Sequence, residues 1–172
     1  MTHVMIDLET LDTEPSTVIL SVGLVEFSPE TWAVDKIGGR LWFPKLGDQL
    51  AAGRTVSEST LLWWLKQGDE ARKEIYGAKR QASAEVLDEI RAQLNWYPQP
   101  TYVWGNGSIF DIAILEHWME YTRIPWKYYN VRDTRTLWHV HPYNKEAKGE
   151  TAHTALDDAI AQAERVCEVW PR

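Results

Sequence analysis

The segment Val4-Met5-Ile6-Asp7-Leu8-Glu9 alternates with a period of two, which in a strand sends Val4, Ile6 and Leu8 to one face and Met5, Asp7 and Glu9 to the other. Both carboxylates therefore point the same way at the end of an apolar strand, roughly 7 Å apart along it. Two like charges so placed repel each other unless cations or water intervene. A chain with 10 Asp and 15 Glu contains a D-x-E about once by chance, so the placement carries the argument and the pattern alone does not.

The next two segments join this strand in a predicted meander. Thr17 to Phe27 is rich in Val, Ile and Leu, and Trp32 to Phe43 is broken at Gly38-Gly39. Ser59 can cap a helix through Leu61, Leu62, Trp64 and Leu65 that ends near Gly68, and a second helix fits Ser83 to Trp96. After Pro98 and Pro100, Thr101 to Trp104 reads as a buried strand, with a helix over Ser108 to Tyr121 beyond it. Lys127 to Arg132 predicts a fifth strand, then a short helical piece, the polar loop Pro142 to Thr151, and a last helix from Ala155 to Trp170. On that helix Leu156, Ala159, Ile160, Ala163, Cys167 and Trp170 share the face expected to dock on the sheet. The expectation is an α/β fold, a five-stranded mixed sheet flanked by helices, in a single domain spanning residues 1–172.

Two further places hold acids. Asp111 lies between Ile114, Leu115, Trp118 and Met119 on a helical wheel, where an ionised carboxylate requires a partner; the plainer alternative is an acid at a helix N-terminus. In His153-Thr154-Ala155-Leu156-Asp157-Asp158, Thr154 and Asp157 have the spacing of an N-cap and its third residue, which gives Asp157 a structural task and leaves Asp158 without one. His153 precedes the helix, where a titrating side chain can reach a bound substrate. Acids at the ends of separate elements suit two hard divalent cations, Mg²⁺ or Mn²⁺, clamping the oxygens of a phosphodiester.

Asp7-Leu8-Glu9-Thr10, Asn106-Gly107-Ser108-Ile109-Phe110-Asp111 and His153-Thr154-Ala155-Leu156-Asp157-Asp158, in this order and spacing, resemble the three motifs of the DnaQ-like (DEDDh) 3′–5′ exonucleases. The resemblance implies a ribonuclease H-like fold and a two-metal site built from Asp7, Glu9, Asp111 and Asp158, with His153 as general base. It excludes the tyrosine variant, since Thr154 stands four residues before Asp158. Thr10 and Leu11 match the positions that meet the 3′-terminal nucleotide, and Asn106 and Phe110 match the polar and packing positions of the second motif. The family often carries Gly shortly after the first motif; here Leu11-Asp12 stands in that place. The Ser59 to Gln67 stretch, with Glu70-Ala71-Arg72 beyond it, is similar to small phage, prophage and mycobacterial exoribonuclease-like members.

The implied function is metal-dependent release of nucleoside 5′-monophosphates from single-stranded 3′ ends. Its rivals are a binding or adaptor module that kept the fold without the chemistry, and a proofreading partner of a polymerase. A net charge of −7 argues against broad adhesion to duplex nucleic acid but leaves room for a local phosphate site. No GxxxxGK or GxGxxG occurs, so no nucleotide cofactor is implied, and His139-Val140-His141, read as one strand face, has no third zinc ligand nearby. Lys145 and Lys148, on the loop before His153, could touch phosphate, with a solvated loop as the favoured account. The single Cys167, and the lack of a signal-like N-terminus or an apolar run of membrane length, predict a cytoplasmic protein without a membrane partner. Ten tryptophans raise the expectation of a homodimer; Trp63 and Trp64, about 100° apart on a helix, cannot both face one core pocket.

Overall fold

The computed structural model describes residues 2–97, 101–141 and 154–171. Strand β1 (Thr2–Thr10) pairs antiparallel with β2 (Ile19–Ser28) on one side and parallel with β5 (Thr101–Gly105) on the other. The expected third strand is divided into β3 (Ala33–Val34) and β4 (Arg40–Trp42), both antiparallel to β2, and β6 (Val131–Asp133) closes the far edge parallel to β5. The result is a mixed sheet in the order β3-β2-β1-β5-β6, with β4 beside β2.

Helices cover both faces. Against Val4, Ile6 and Leu8 pack α4 (Ser83–Trp96) through Val86, Ile90 and Leu94, and α5 (Asp111–Trp118) through Ile112 and Leu115. Against Met5, Val25 and Trp104 packs α7 (Ala155–Val169) through Ala159, Ala163, Val166 and Cys167. The period-two reading of β1 is thus realised, with both of its faces buried over most of its length. The docking stripe of α7 also holds, extended to Asp158 and Gln162, while Leu156 falls at its margin.

Elsewhere the chain departs from expectation. Two short helices, α1 (Leu46–Ala51) and α3 (Asp69–Tyr76), flank α2 (Glu58–Leu65), whose cap is Ser57 and not Ser59; Gly68 caps α3 instead of ending α2. The predicted strand over Lys127 to Arg132 begins late, because Tyr128–Asn130 winds into a 3₁₀ turn. His139 and His141 lie at the exposed end of α6 (Thr134–Val140), so they do not share a strand face. Trp64 is buried and Trp63 is 44% exposed, as the angle between them on a helix requires. Lys145, Lys148 and His153 lie outside the described residues. Among the described residues, no helix is long and apolar enough to cross a membrane.

Candidate active site

Asp7, Glu9 and Asp158 each place a carboxylate oxygen so that all three lie within 4.8 Å of one another. β1 supplies the first two and the first turn of α7 the third. What lets the helix come so close is Gly23, the cross-strand partner of Asp7 on β2: a methyl group there would overlap the backbone of Ala155 and Leu156. The glycine serves here by having no side chain, so the helix backbone rests on the strand backbone. The turn is fixed by the predicted cap, with Thr154 Oγ1 accepting from the Asp157 amide at 3.2 Å and donating to the Asp157 carboxylate at 2.6 Å. Asp158, one residue on, is buried and turned into the cluster.

Asp111 approaches from the other side of β1. The β1·β5 pairing ends at Met5 and Trp104, so the Leu8 amide has no strand partner on that edge; it donates to Asp111 Oδ1 at 3.3 Å. The Asn106 amide donates to Oδ2 at 3.0 Å, and Gly105 makes room, since a Cβ there would lie 3.1 Å from the Asp111 side chain. Asp111 is both the N-terminal acid of α5 and a buried group with specific partners, so the two readings of it coincide. Burial pushes its carboxyl up to about 7, against the two backbone donors and the charge of Arg135, which favour the ionised form.

Desolvation, then the charges of Asp111 and Glu9, hold Asp7 well above the usual carboxylate range. Gln162, one turn beyond Asp158 on α7, partly offsets this by donating from Nε2 to Asp7 Oδ1 at 2.7 Å. Sequence reasoning missed Gln162; its signal was a polar side chain set at i+4 from Asp158 within the Ala159 and Ala163 stripe. Two buried oxygens beside the acids, Gln162 Oε1 and the Oγ of Ser21 opposite Glu9, have no hydrogen-bond partner among the described residues. A crowd of carboxylates with spare oxygen donors around it is a donor set suited to a hard divalent cation.

The remaining expected contacts divide in two. A β-bulge between Glu9 and Thr10 re-aims the end of β1, where Thr10 Oγ1 donates to Asp12 O at 2.7 Å and Thr10 O accepts from Trp64 Nε1 at 2.9 Å. Leu11 is buried in a cluster with Val18, Leu20, Trp64 and Ala71. Asn106 is fastened through Oδ1 by Thr134 Oγ1 at 2.9 Å, and Phe110 packs against the larger core just before α5.

A family model described as the 3′–5′ exoribonuclease Rv2179c-like domain matches residues 2–170. A curated relative, an exodeoxyribonuclease of Enterobacteria phage T4, is 28% identical over 156 residues, covering 77% of this chain and 68% of that protein. Among solved structures, the zinc-bound form of the E. coli exonuclease I complex with single-stranded DNA superposes with a TM-score of 0.67 at 15% identity, over 98% of this chain and 40% of that one. E. coli exonuclease I in complex with a dA13 oligonucleotide gives 0.65 at 16%, over 99% of this chain and 41% of that one. This chain spans less than half the length of the exonuclease I structures it matches, and at such identity they show the shared fold. Three acids gathered by β1 and α7, with Asp111 of α5 near enough for its charge to raise Asp7, and a family match over nearly every residue, agree: the chain belongs to the 3′–5′ exoribonuclease Rv2179c-like domain family.

Proposed function

We propose that residues 1–172 act as one exonuclease domain that releases nucleoside 5′-monophosphates from the 3′ end of single-stranded nucleic acid. Asp7, Glu9, Asp111 and Asp158 would hold two divalent cations, Mg²⁺ or Mn²⁺, and His153 would act as general base. The observation that carries this reading is the approach of Asp7, Glu9 and Asp158 oxygens to within 4.8 Å, at a cost of ionisation that the raised Asp7 carboxyl reflects. When bound, the cations lower the pKa of water and stabilise charge on the phosphate in the transition state.

The chain's own residues supply orientation and proton transfer. Asp111 is aimed by the Leu8 and Asn106 amides, and Asp7 by Gln162, so neither carboxylate has to reorganise when a substrate arrives. His153 takes a proton from the attacking water at an imidazole nitrogen. The oxygen of that water bonds to phosphorus as the bond to the 3′-oxygen breaks, and the leaving 3′-oxygen takes a proton from solvent water. Thr10, Leu11, Asn106 and Phe110 would receive the terminal nucleotide; the Leu11 side chain is buried, its amide donates to Val18 O and its carbonyl accepts from the Ser57 amide, which leaves the second lone pair of that carbonyl to offer. Burial pushes the Cys167 thiol up to about 11, an inert group compatible with work in a reducing cytoplasm.

Digestion of matched 5′-labelled RNA and DNA strands, with Mn²⁺, Mg²⁺ or chelator, tests the proposal and reads the sugar preference. A ladder shortening from the 3′ end is expected only with metal, and Asp158→Ala should lower its rate on the order of 10³-fold with its thermal transition retained. Intact strands in every lane, beside strand binding that persists in chelator, would overturn it in favour of a binding module.

A further inference from the structure

The last residue of β6 and the two that follow it grip three consecutive residues of the turn that leads to Asp111. Asp133 Oδ2 accepts from the Ser108 amide at 2.7 Å and from Ser108 Oγ at 3.0 Å. Thr134 Oγ1 donates to Asn106 Oδ1 at 2.9 Å. Arg135 lays its guanidinium over Gly107: Cζ, Nε and Nη1 lie 3.2, 3.4 and 3.5 Å from the point a Cβ there would occupy, so the flat group faces the glycine. Gly107 has φ of +111°, a conformation suited to glycine, and any side chain would displace the stack.

The first two contacts satisfy polar groups of the turn, and the third does not. Gly107 presents no side chain, and among the described residues the guanidinium of Arg135 makes no hydrogen bond or ion pair. Its five N–H donors thus remain available on an exposed residue. The charge of Arg135 acts on Asp111, yet among the described residues its guanidinium forms no ion pair and is held flat over Gly107. Stacking limits the rotamer entropy lost when the fork takes up a ligand. The polyanionic strand must enter a site crowded with carboxylates, and a preorganised cation at the rim offers a counter-attraction.

We propose that Arg135 binds one backbone phosphate of the substrate strand near its 3′ end. This rests on the acid cluster being the reaction site. It is tested by binding, so that the two readings fail separately.

The measurement is fluorescence anisotropy of a 5′-labelled single strand, with Ca²⁺ replacing Mg²⁺ and strand integrity checked on the same samples. A set of strands carries a neutral methylphosphonate at each of the last few 3′ linkages in turn. Wild-type protein should lose affinity at one linkage. Arg135→Gln should bind the unmodified strand several-fold more weakly, ignore the methylphosphonate at that linkage alone, and flatten the dependence of log Kd on log salt by about 0.7. Arg135→Lys, which keeps the charge and loses the fork, should retain the salt slope and show a weaker preference at the same linkage. Thermal transitions report that each variant is folded, and Arg135→Lys carries the comparison if Arg135→Gln is not. A folded variant with the wild-type salt slope and linkage profile would overturn the proposal, leaving Arg135 as a cover for the turn. Retained turnover in Asp158→Ala would instead sink the site and leave this binding result standing.

Discussion

At the C-terminal end of α7, Trp170 meets His3; at the N-terminal end, Asp158 meets Asp7 and Glu9. Both ends lie over one stripe of β1, formed by His3, Met5, Asp7 and Glu9, with the fully buried Met5 between them. His3 sits among Phe27, Tyr102, Trp104 and Trp170, with ring centroids 5.1 to 5.9 Å away, and its Nδ1 accepts from Trp104 Nε1 at 3.0 Å. Burial lowers the His3 pKa, with the Glu30 carboxylate at 3.6 Å partly opposing, which favours the neutral ring; Nδ1 has its donor, while the buried Nε2 has no hydrogen-bond partner among the described residues. At the acid end burial, then the charges of Asp111 and Glu9, raise the Asp7 carboxyl. One helix thus docks through an aromatic contact at one end and through groups whose ionisation opposes folding at the other. The second arrangement makes chemical sense only with a ligand that neutralises it.

The sharpest way to break the comparison is at Gly23. Gly23→Ala drives a methyl group into the Ala155 backbone, so the first turn of α7 must lift while its far end stays anchored on the His3 nest. Asp158 would move away from Asp7 and Glu9, and turnover should fall by about 100-fold or more, because a displacement of about 1 Å at a reacting centre has that effect. Stability should fall by about 1 to 3 kcal/mol from the overlap. Steady-state kinetics and denaturant titration read the two separately; wild-type turnover would mean that the closeness of helix and strand does not position the acids.

His3→Ala attacks the other end. It removes a buried ring and leaves the Trp104 indole N–H without its acceptor, a loss of about 2 to 4 kcal/mol. Turnover per folded molecule should stay within about twofold of wild type, since the acids are anchored separately by Gly23, Gln162 and the Thr154 cap. A large loss of activity in folded protein would show that the two ends are coupled through the helix.

How legible each end was in the sequence depends on the range of the contacts that make it. Strict alternation placed Asp7 and Glu9 on one face of β1, and helical spacing gave the cap at Thr154 and the release of Asp158 from it; both are local patterns. Helix α4 was bounded correctly at Ser83 and Trp96 because two prolines lie just beyond it and its apolar period is clean. Helices α1 and α3, of six and eight residues, carry too few apolar positions to show a period, and the turn at Tyr128–Asn130 has none. The residues that support the acids escaped for a different reason. Gly23 acts against Ala155, Asp133 against Ser108 and Gln162 against Asp7, contacts between distant parts of the chain that no spacing encodes.

The two ends should also respond to pH with opposite signs, an effect of a few degrees in Tm. Asp7 and Asp111 are raised in the folded chain, Asp111 to about 7. Above about pH 4 the unfolded chain has released protons that the folded chain still holds, so stability falls as pH climbs toward that value. His3 is depressed: below about pH 6.5 the unfolded chain takes up a proton that the folded one refuses, so its contribution is present above that pH and lost as pH falls through it. Between pH 5 and 7 the slopes oppose, and the acids, with the larger shifts, should win. In chelator, therefore, Tm should decline from pH 5 to pH 8, and His3→Ala should steepen the decline by removing the counter-slope. Saturating Mg²⁺ or Mn²⁺ should flatten or reverse it, because cations replace the protons that the cluster otherwise retains. Calorimetric scans at one-unit intervals decide this. A chelated protein whose Tm rises steadily with pH would mean that the carboxylates at the N-terminal end of α7 are not strained by one another, and that the contrast between its two ends is not electrostatic.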